Sequence, residues 1–370
     1  MRHIRMACLI SPLWLGTGLG AQTDRTDDFI AAEIRRQNIP GLSLAVLRNG
    51  KIVKAAGYGV ANISLKTPAA PQTVYKIASA SKQFIATGIM RLVQEGRLGL
   101  DHPISRYLAG TPVTWSGITI RHLLTHTSGL IREAPGFDPS RIQSDADVIR
   151  TAYSAPLRFA PGEKWEYSNL GYFALAEVIR AVSGQPWSEY LAANVFRPTG
   201  MFSTRTTAES VPDLAQGYVD NDALRNARDW PAVRPSGAFL STVLDLAKWD
   251  ATLLTDDVLN ASSRQQMRTP VTLNDGRSYP YGFGWMLAEV SGHRLVHHPG
   301  GMPGFRADIA RFVDDGLTII VLMNLDDVDI DAIVRGLAAI YLPGREPREQ
   351  PQSRQLTDGS THCRATRARS

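Results

Sequence analysis

Cysteine is almost missing from this chain: 370 residues contain two, Cys8 and Cys363. Removal of an N-terminal leader would leave one, so no internal disulfide framework is expected. The folded middle offers no cysteine nucleophile and no cysteine zinc site. Lysine is scarce too, with seven residues. An excess of one charge sign is likewise absent from the middle. The formal charge of +5 comes from the ends: Arg2 and Arg5 near the start, and six arginines against three acids over 344–370. No basic face for nucleic acid remains. No long apolar run occurs either. Met6 to Leu19 is interrupted by Ser11 and Pro12 and is too weak for a stable membrane span. Internal repeats and low-complexity segments are absent before the tail.

What is present is an ordinary globular balance, 44% hydrophobic and 20% charged, enough for one large domain or two intimate ones. Residues 1–21 read as a secretory leader, with an arginine-bearing start, an apolar stretch and small residues at Gly18, Gly20 and Ala21 for cleavage. Export to the periplasm or medium is the expectation. Residues 344–370 read as a basic, disordered tail.

Asp27 to Gln37 has helical spacing. Leu42–Leu47 and Ile52–Val60 read as strands joined by Asn49-Gly50, a strong hairpin signal. Strand patterns return at 284–290, 294–298, 305–313 and 317–323, and a helix closes the chain over 329–341. An α/β (α+β) fold is expected, its antiparallel sheet built from both chain ends (about 22–100 and 280–343). A helix-rich part over about 101–279 is inserted between them. Together they make one domain over 22–343.

Three short segments carry chemistry. Ile77-Ala78-Ser79-Ala80-Ser81-Lys82 places Ser79 three residues before Lys82 at the start of a helix, so hydroxyl and amine share one helical face. An amine that burial has deprotonated can serve as base for a serine nucleophile. Lys82 alone among the lysines has a serine at that spacing. Tyr167-Ser168-Asn169 precedes a long apolar helix; a tyrosine hydroxyl there can shuttle protons, and Asn169 can offer an amide to substrate. His297-His298-Pro299-Gly300-Gly301 ends a strand. Its glycines, Gly300 and Gly301, allow backbone to approach a ligand, and the Gly301 N–H can pair with that of Ser79 around an oxyanion. His298 would reach the far end of a substrate.

In this order the segments resemble the serine beta-lactamase and penicillin-binding protein superfamily, class C-like branch, with its DD-peptidases, D-aminopeptidases and beta-lactamase-like esterases. Gly96–Asp101, Ile120–Gly129 and Tyr281–Trp285 are similar as well, so the resemblance spans about 27 to 342. It implies a beta-lactamase/transpeptidase-like fold and an acyl-enzyme mechanism. Ser79 attacks a carbonyl, Lys82 takes its proton and Tyr167 relays protons onward. No cofactor and no metal are required. His122 and His126 stand four apart, as metal ligands can, but lack the glutamate of His-Glu-x-x-His.

One departure bears on substrate. Beta-lactamases of this branch usually carry Lys-Thr-Gly where this chain has His298-Pro299-Gly300. Histidine is only partly charged near neutrality, and proline has neither hydroxyl nor N–H. The carboxylate clamp is thereby weakened. The sequence therefore favours a D-amino-acid peptidase or a carboxylesterase acting on a small-molecule or peptide substrate. A class C-like beta-lactamase and a penicillin-recognising protein without turnover are the alternatives. Loops 130–148 and 203–235 are expected to set the substrate.

Overall fold

The computed structural model describes residues 17–206, 211–228, 230, 234–237, 239–342 and 344, with side chains from Arg25 onward. The leader read over 1–21 lies mostly outside these residues, and the basic tail lies outside them except for Gly344.

The central sheet draws on both ends of the chain. Helix α1 (Thr17–Gln37) leads into β1 (Gly41–Arg48), β2 (Lys51–Asn62) and the short β3 (Thr67–Pro68). The remaining strands come late: β4 (Met286–Val290), β5 (His293–His297), β6 (Gly300–Met302), β7 (Phe305–Phe312) and β8 (Leu317–Met323). Their order is β4-β5-β7-β8-β1-β2-β3, with β6 paired to β7 at the side of that path. Every pairing is antiparallel, and β8 joins the two halves by pairing with β1 from Leu42↔Met323 to Arg48↔Leu317. The Asn49-Gly50 turn has positive φ at both residues, 48° and 74°, as a tight right-twisted hairpin demands.

Strand alternation sorts the core into two layers. Leu42, Leu44 and Val46 of β1 face α1 and the last helix, α5 (Ile330–Tyr341), where Ile30, Ile333, Val334 and Leu337 pack on them. Ala45 and Leu47 face the opposite side, which holds α2 (Lys82–Gln94), α3 (Asn169–Ser183) and α4 (Val243–Thr252). Both faces of β1 and β8 are buried, which is why they read as near-continuous apolar runs.

Three readings change. The first helix begins at Thr17, ten residues before Asp27. Gly300–Met302, read as part of a turn, forms β6: glycines carry little strand propensity, and the pairing comes from the edge of β7. The insertion between the sheet halves is less regular than expected, consisting of short helices, turns and two-residue strands around α3 and α4.

Candidate active site

Ser79 sits in a 3₁₀ turn, Ala78–Ser81, that runs into α2. Ala78 is held at φ 46°, a costly conformation for a residue with a Cβ. The two serines of the turn part company here. Ser81 is fully buried, donates to the Ala78 carbonyl at 2.6 Å and accepts the Phe239 N–H at 3.2 Å. Ser79 stays partly exposed, 3.2 Å from Lys82 Nζ, and it also hydrogen-bonds Tyr167.

Lys82 is 0% exposed. Its amine donates to Asn169 Oδ1 at 2.8 Å and to the Ser236 carbonyl. Burial first, then the guanidinium charges of Arg234 and Arg132, hold it well below the ordinary lysine range, against the opposing pull of Glu133. A neutral amine has two hydrogens and one lone pair. As a cation the amine donates to all three oxygens; once deprotonated, with its two hydrogens given to Asn169 and Ser236, its lone pair would be left to accept from the Ser79 hydroxyl. Tyr167 is pushed above the usual phenol range, chiefly by burial, while its bond to Ser79 and the two arginines oppose the rise. It is therefore a phenol in the resting site.

Asn169 does not offer a free amide to substrate. Its Oδ1 takes the Lys82 proton donor and its Nδ2 donates to Glu133, so it bridges base and carboxylate and is 5% exposed. Ser168 caps α3, its Oγ accepting from Gly171 N at 3.1 Å and donating to the Ile131 carbonyl. The Arg132 carbonyl accepts from Asn169 N at 2.8 Å. The Ile131–Glu133 loop is thus pinned to the second motif.

The third motif reaches the nucleophile through backbone. A Cβ at Gly300 would lie 2.1 Å from the Ile77 carbonyl oxygen, so only glycine lets β6 run beside the turn that holds Ser79. Gly301 follows in the same strand, opposite Arg306.

His298 corrects the sequence expectation. Its ring is 1% exposed and both nitrogens are engaged, with Tyr281 Oη at 3.0 Å from Nε2 and the Pro299 carbonyl at 2.8 Å from Nδ1. Burial above all pushes it down to about 3. It is a neutral internal residue at physiological pH and cannot clamp a carboxylate.

The hydrogen bonds assign its tautomer and that of His126. The Ser168 N–H points at His126 Nδ1 (3.1 Å), so the His126 proton is on Nε2 and is donated to Tyr281 Oη (3.1 Å). The Tyr281 hydroxyl then donates to His298 Nε2, and His298 Nδ1–H donates to Pro299 O. This buried chain ties the second motif to the third. His122 plays a separate part: its Nδ1 accepts the Thr119 N–H in a capping box on its own short helix. Tyr281→Phe is expected to leave two buried ring nitrogens unpaired at about 1–3 kcal/mol each. A clear fall in melting temperature, with weakened turnover, is the expected result; an unchanged melting curve would mean that the chain holds nothing together.

Sequence reasoning did not single out Arg132, Glu133, Tyr281, Arg234 or Ser236. Arg132 and Glu133 had a faint signal in the loop flagged over 130–148, and Arg234 in the loop over 203–235. Ser236 acts through its carbonyl, which leaves no trace in residue type.

Comparison with known proteins identifies the family and the fold. The Beta-lactamase family matches residues 26–340. Penicillin-binding protein 4* of Bacillus subtilis (strain 168) is 32% identical over 337 residues, covering 82% of this chain and 74% of the relative. Protein flp of Staphylococcus aureus (strain MW2) is 29% identical over 326 residues; the match takes in 84% of this chain and 65% of flp, so flp extends well beyond it. The solved structure of D-amino acid amidase from Ochrobactrum anthropi SV3 has a TM-score of 0.76 at 24% identity, covering 87% of this chain and 98% of the amidase, a likeness of fold. The chain belongs to the Beta-lactamase family and is one of its serine hydrolases.

Proposed function

We propose that the protein hydrolyses amide bonds of D-amino-acid peptides or amides through an acyl-enzyme on Ser79. The observation that carries the reading is the buried Lys82 amine, 3.2 Å from Ser79 Oγ and hydrogen-bonded to Asn169 and the Ser236 carbonyl, with its pKa lowered by that burial. In the proposed reaction, Ser79 Oγ bonds to the substrate carbonyl carbon as its proton passes to Lys82 Nζ. The N–H groups of Ser79 and Gly301 receive the oxyanion. Tyr167 hands a proton to the leaving nitrogen as the C–N bond breaks and the amine departs, and Lys82 passes the proton it took from Ser79 back to Tyr167. Water then attacks the ester and gives its proton back through the same groups, freeing the acid and Ser79.

The substrate class draws support from two sides. The relatives named above include a penicillin-binding protein and a D-amino acid amidase. The neutral, buried His298 argues against a dedicated beta-lactamase, which would want a fixed cation there. Export, suggested by the arginine-flanked apolar N-terminus, would put the enzyme outside the cytoplasm.

Initial rates on D-alanyl peptides, their L counterparts, p-nitrophenyl acetate and nitrocefin test the reading. The D-peptides are expected to show the highest kcat/KM. Faster cleavage of nitrocefin or of L-peptides would overturn it. A burst of acylation without turnover would favour the penicillin-recognising alternative.

A further inference from the structure

The third motif supplies no cation, yet two guanidiniums stand close to Lys82 and Tyr167. Arg132 is exposed, and its guanidinium lies 5.0 Å from the centre of the Tyr167 ring. Among the described residues it has no acidic partner and no side-chain hydrogen bond. Arg234 is held between Phe137 and Trp230, 5.0 and 5.4 Å from their ring centres. Among the described residues its nearest carboxylate oxygen, on Glu133, is 3.7 Å away, beyond hydrogen-bond reach, and its buried Nε has no hydrogen-bond partner. That carboxylate is already engaged by Asn169. Two positive groups therefore face one shared negative group. A nearly buried guanidinium with an unmade hydrogen bond is an expensive arrangement unless something completes it.

We infer that Arg132 and Arg234 form the receptor for a carboxylate carried by the leaving group of the substrate. The placement follows from Tyr167. In the proposed reaction its hydroxyl protonates the departing nitrogen, and in an amino-acid leaving group the α-carboxylate is two bonds from that nitrogen. A cation stacked on the Tyr167 ring is within reach of it. Planar guanidinium forks also suit a carboxylate better than a lysine would. The inference rests on the proposed role of Ser79 and Tyr167. It narrows the substrate to peptides whose last residue keeps a free carboxylate, a carboxypeptidase specificity built from second-motif loops in place of the third motif.

Two matched substrate pairs test it. One is an acyl-D-alanyl-D-alanine peptide against its C-terminal carboxamide. The other is 3-carboxyphenyl acetate against phenyl acetate, which puts the same charge on an ester leaving group. Wild-type kcat/KM is expected to favour the carboxylate member of each pair by about tenfold to a hundredfold, the worth of a charge-assisted contact. The ratio, read in low salt on the pH plateau of each variant, should collapse toward one in Arg132→Gln/Arg234→Gln. It should be partly kept in Arg132→Lys. Circular dichroism and melting curves show whether each variant is folded; the single variant Arg132→Gln, at an exposed position, keeps the test open if the double variant is not. Wild-type ratios near one, or a preference that survives both substitutions, would overturn the inference. The ester pair separates the two failures: a carboxylate preference on esters with no peptide cleavage would overturn the D-peptide reading and leave the arginine receptor standing.

Discussion

Ser79→Ala is expected to lower kcat by about 10⁴-fold or more while leaving the melting temperature nearly unchanged. Removing a covalent nucleophile takes away the whole acyl-enzyme route, and losses of that order are typical. The fold should tolerate it because, among the described residues, the hydroxyl hydrogen-bonds Lys82 and Tyr167 and is partly exposed. The neighbouring Ser81 is the internal control. Its hydroxyl is spent on Ala78 and Phe239, so Ser81→Ala should cost stability. Peptide mapping after treatment with a fluorophosphonate should find the adduct on Ser79. An adduct on Ser81, or full activity in Ser79→Ala, would end the assignment.

Lys82→Met is the second large effect. Loss of the base should reduce kcat/KM by about 10²–10⁴-fold. The acid limb of the wild-type profile should disappear with it, since that limb reflects protonation of the Lys82 amine and loss of its lone pair. Stability should respond with its own sign. The folded-state pKa of Lys82 lies well below the unfolded value of about 10.4. Between those two values the unfolded chain binds one proton more than the folded one. Unfolding free energy therefore rises with pH across that window. Lys82→Met has no such proton to release, so its stability should vary less between neutral and alkaline pH. The methionine also orphans Asn169 Oδ1 and the Ser236 carbonyl, which offsets part of what removing a buried amine gains. Urea titrations at several pH values read the slope directly. Equal slopes in the two proteins would show that Lys82 is charged in the fold and cannot be the resting base.

The contrast between Ser79–Lys82 and the rest of the site shows where sequence reading succeeds. A hydroxyl and an amine three apart at a helix start must share a face, because the helix repeat leaves no choice. Partners from distant segments obey no such rule. Asn169 is 87 residues from Lys82 and Ser236 is 154 away. Which of Asn169's two polar ends meets substrate, base or Glu133 depends on how α3 docks against α2. His298 makes the same point for charge. Its residue type suggests a group that titrates near neutrality, yet the ring is enclosed by Tyr281 and the β6 turn, and burial makes it neutral.

By itself the sequence determined whatever depends on near neighbours: the Asn49-Gly50 hairpin, the apolar strands at both ends, the closing helix, the Ser79–Lys82 pair and the ordered motifs of the family. The tertiary structure alone decided the state and company of the side chains. It lowered the pKa of Lys82, turned Asn169 and His298 inward, set Gly300 against Ile77, and placed Arg132 over the Tyr167 ring and Arg234 between Phe137 and Trp230. Spacing governs geometry within a turn of helix or a strand. Protonation and electrostatic balance come from burial and from charges that only the folded chain brings together.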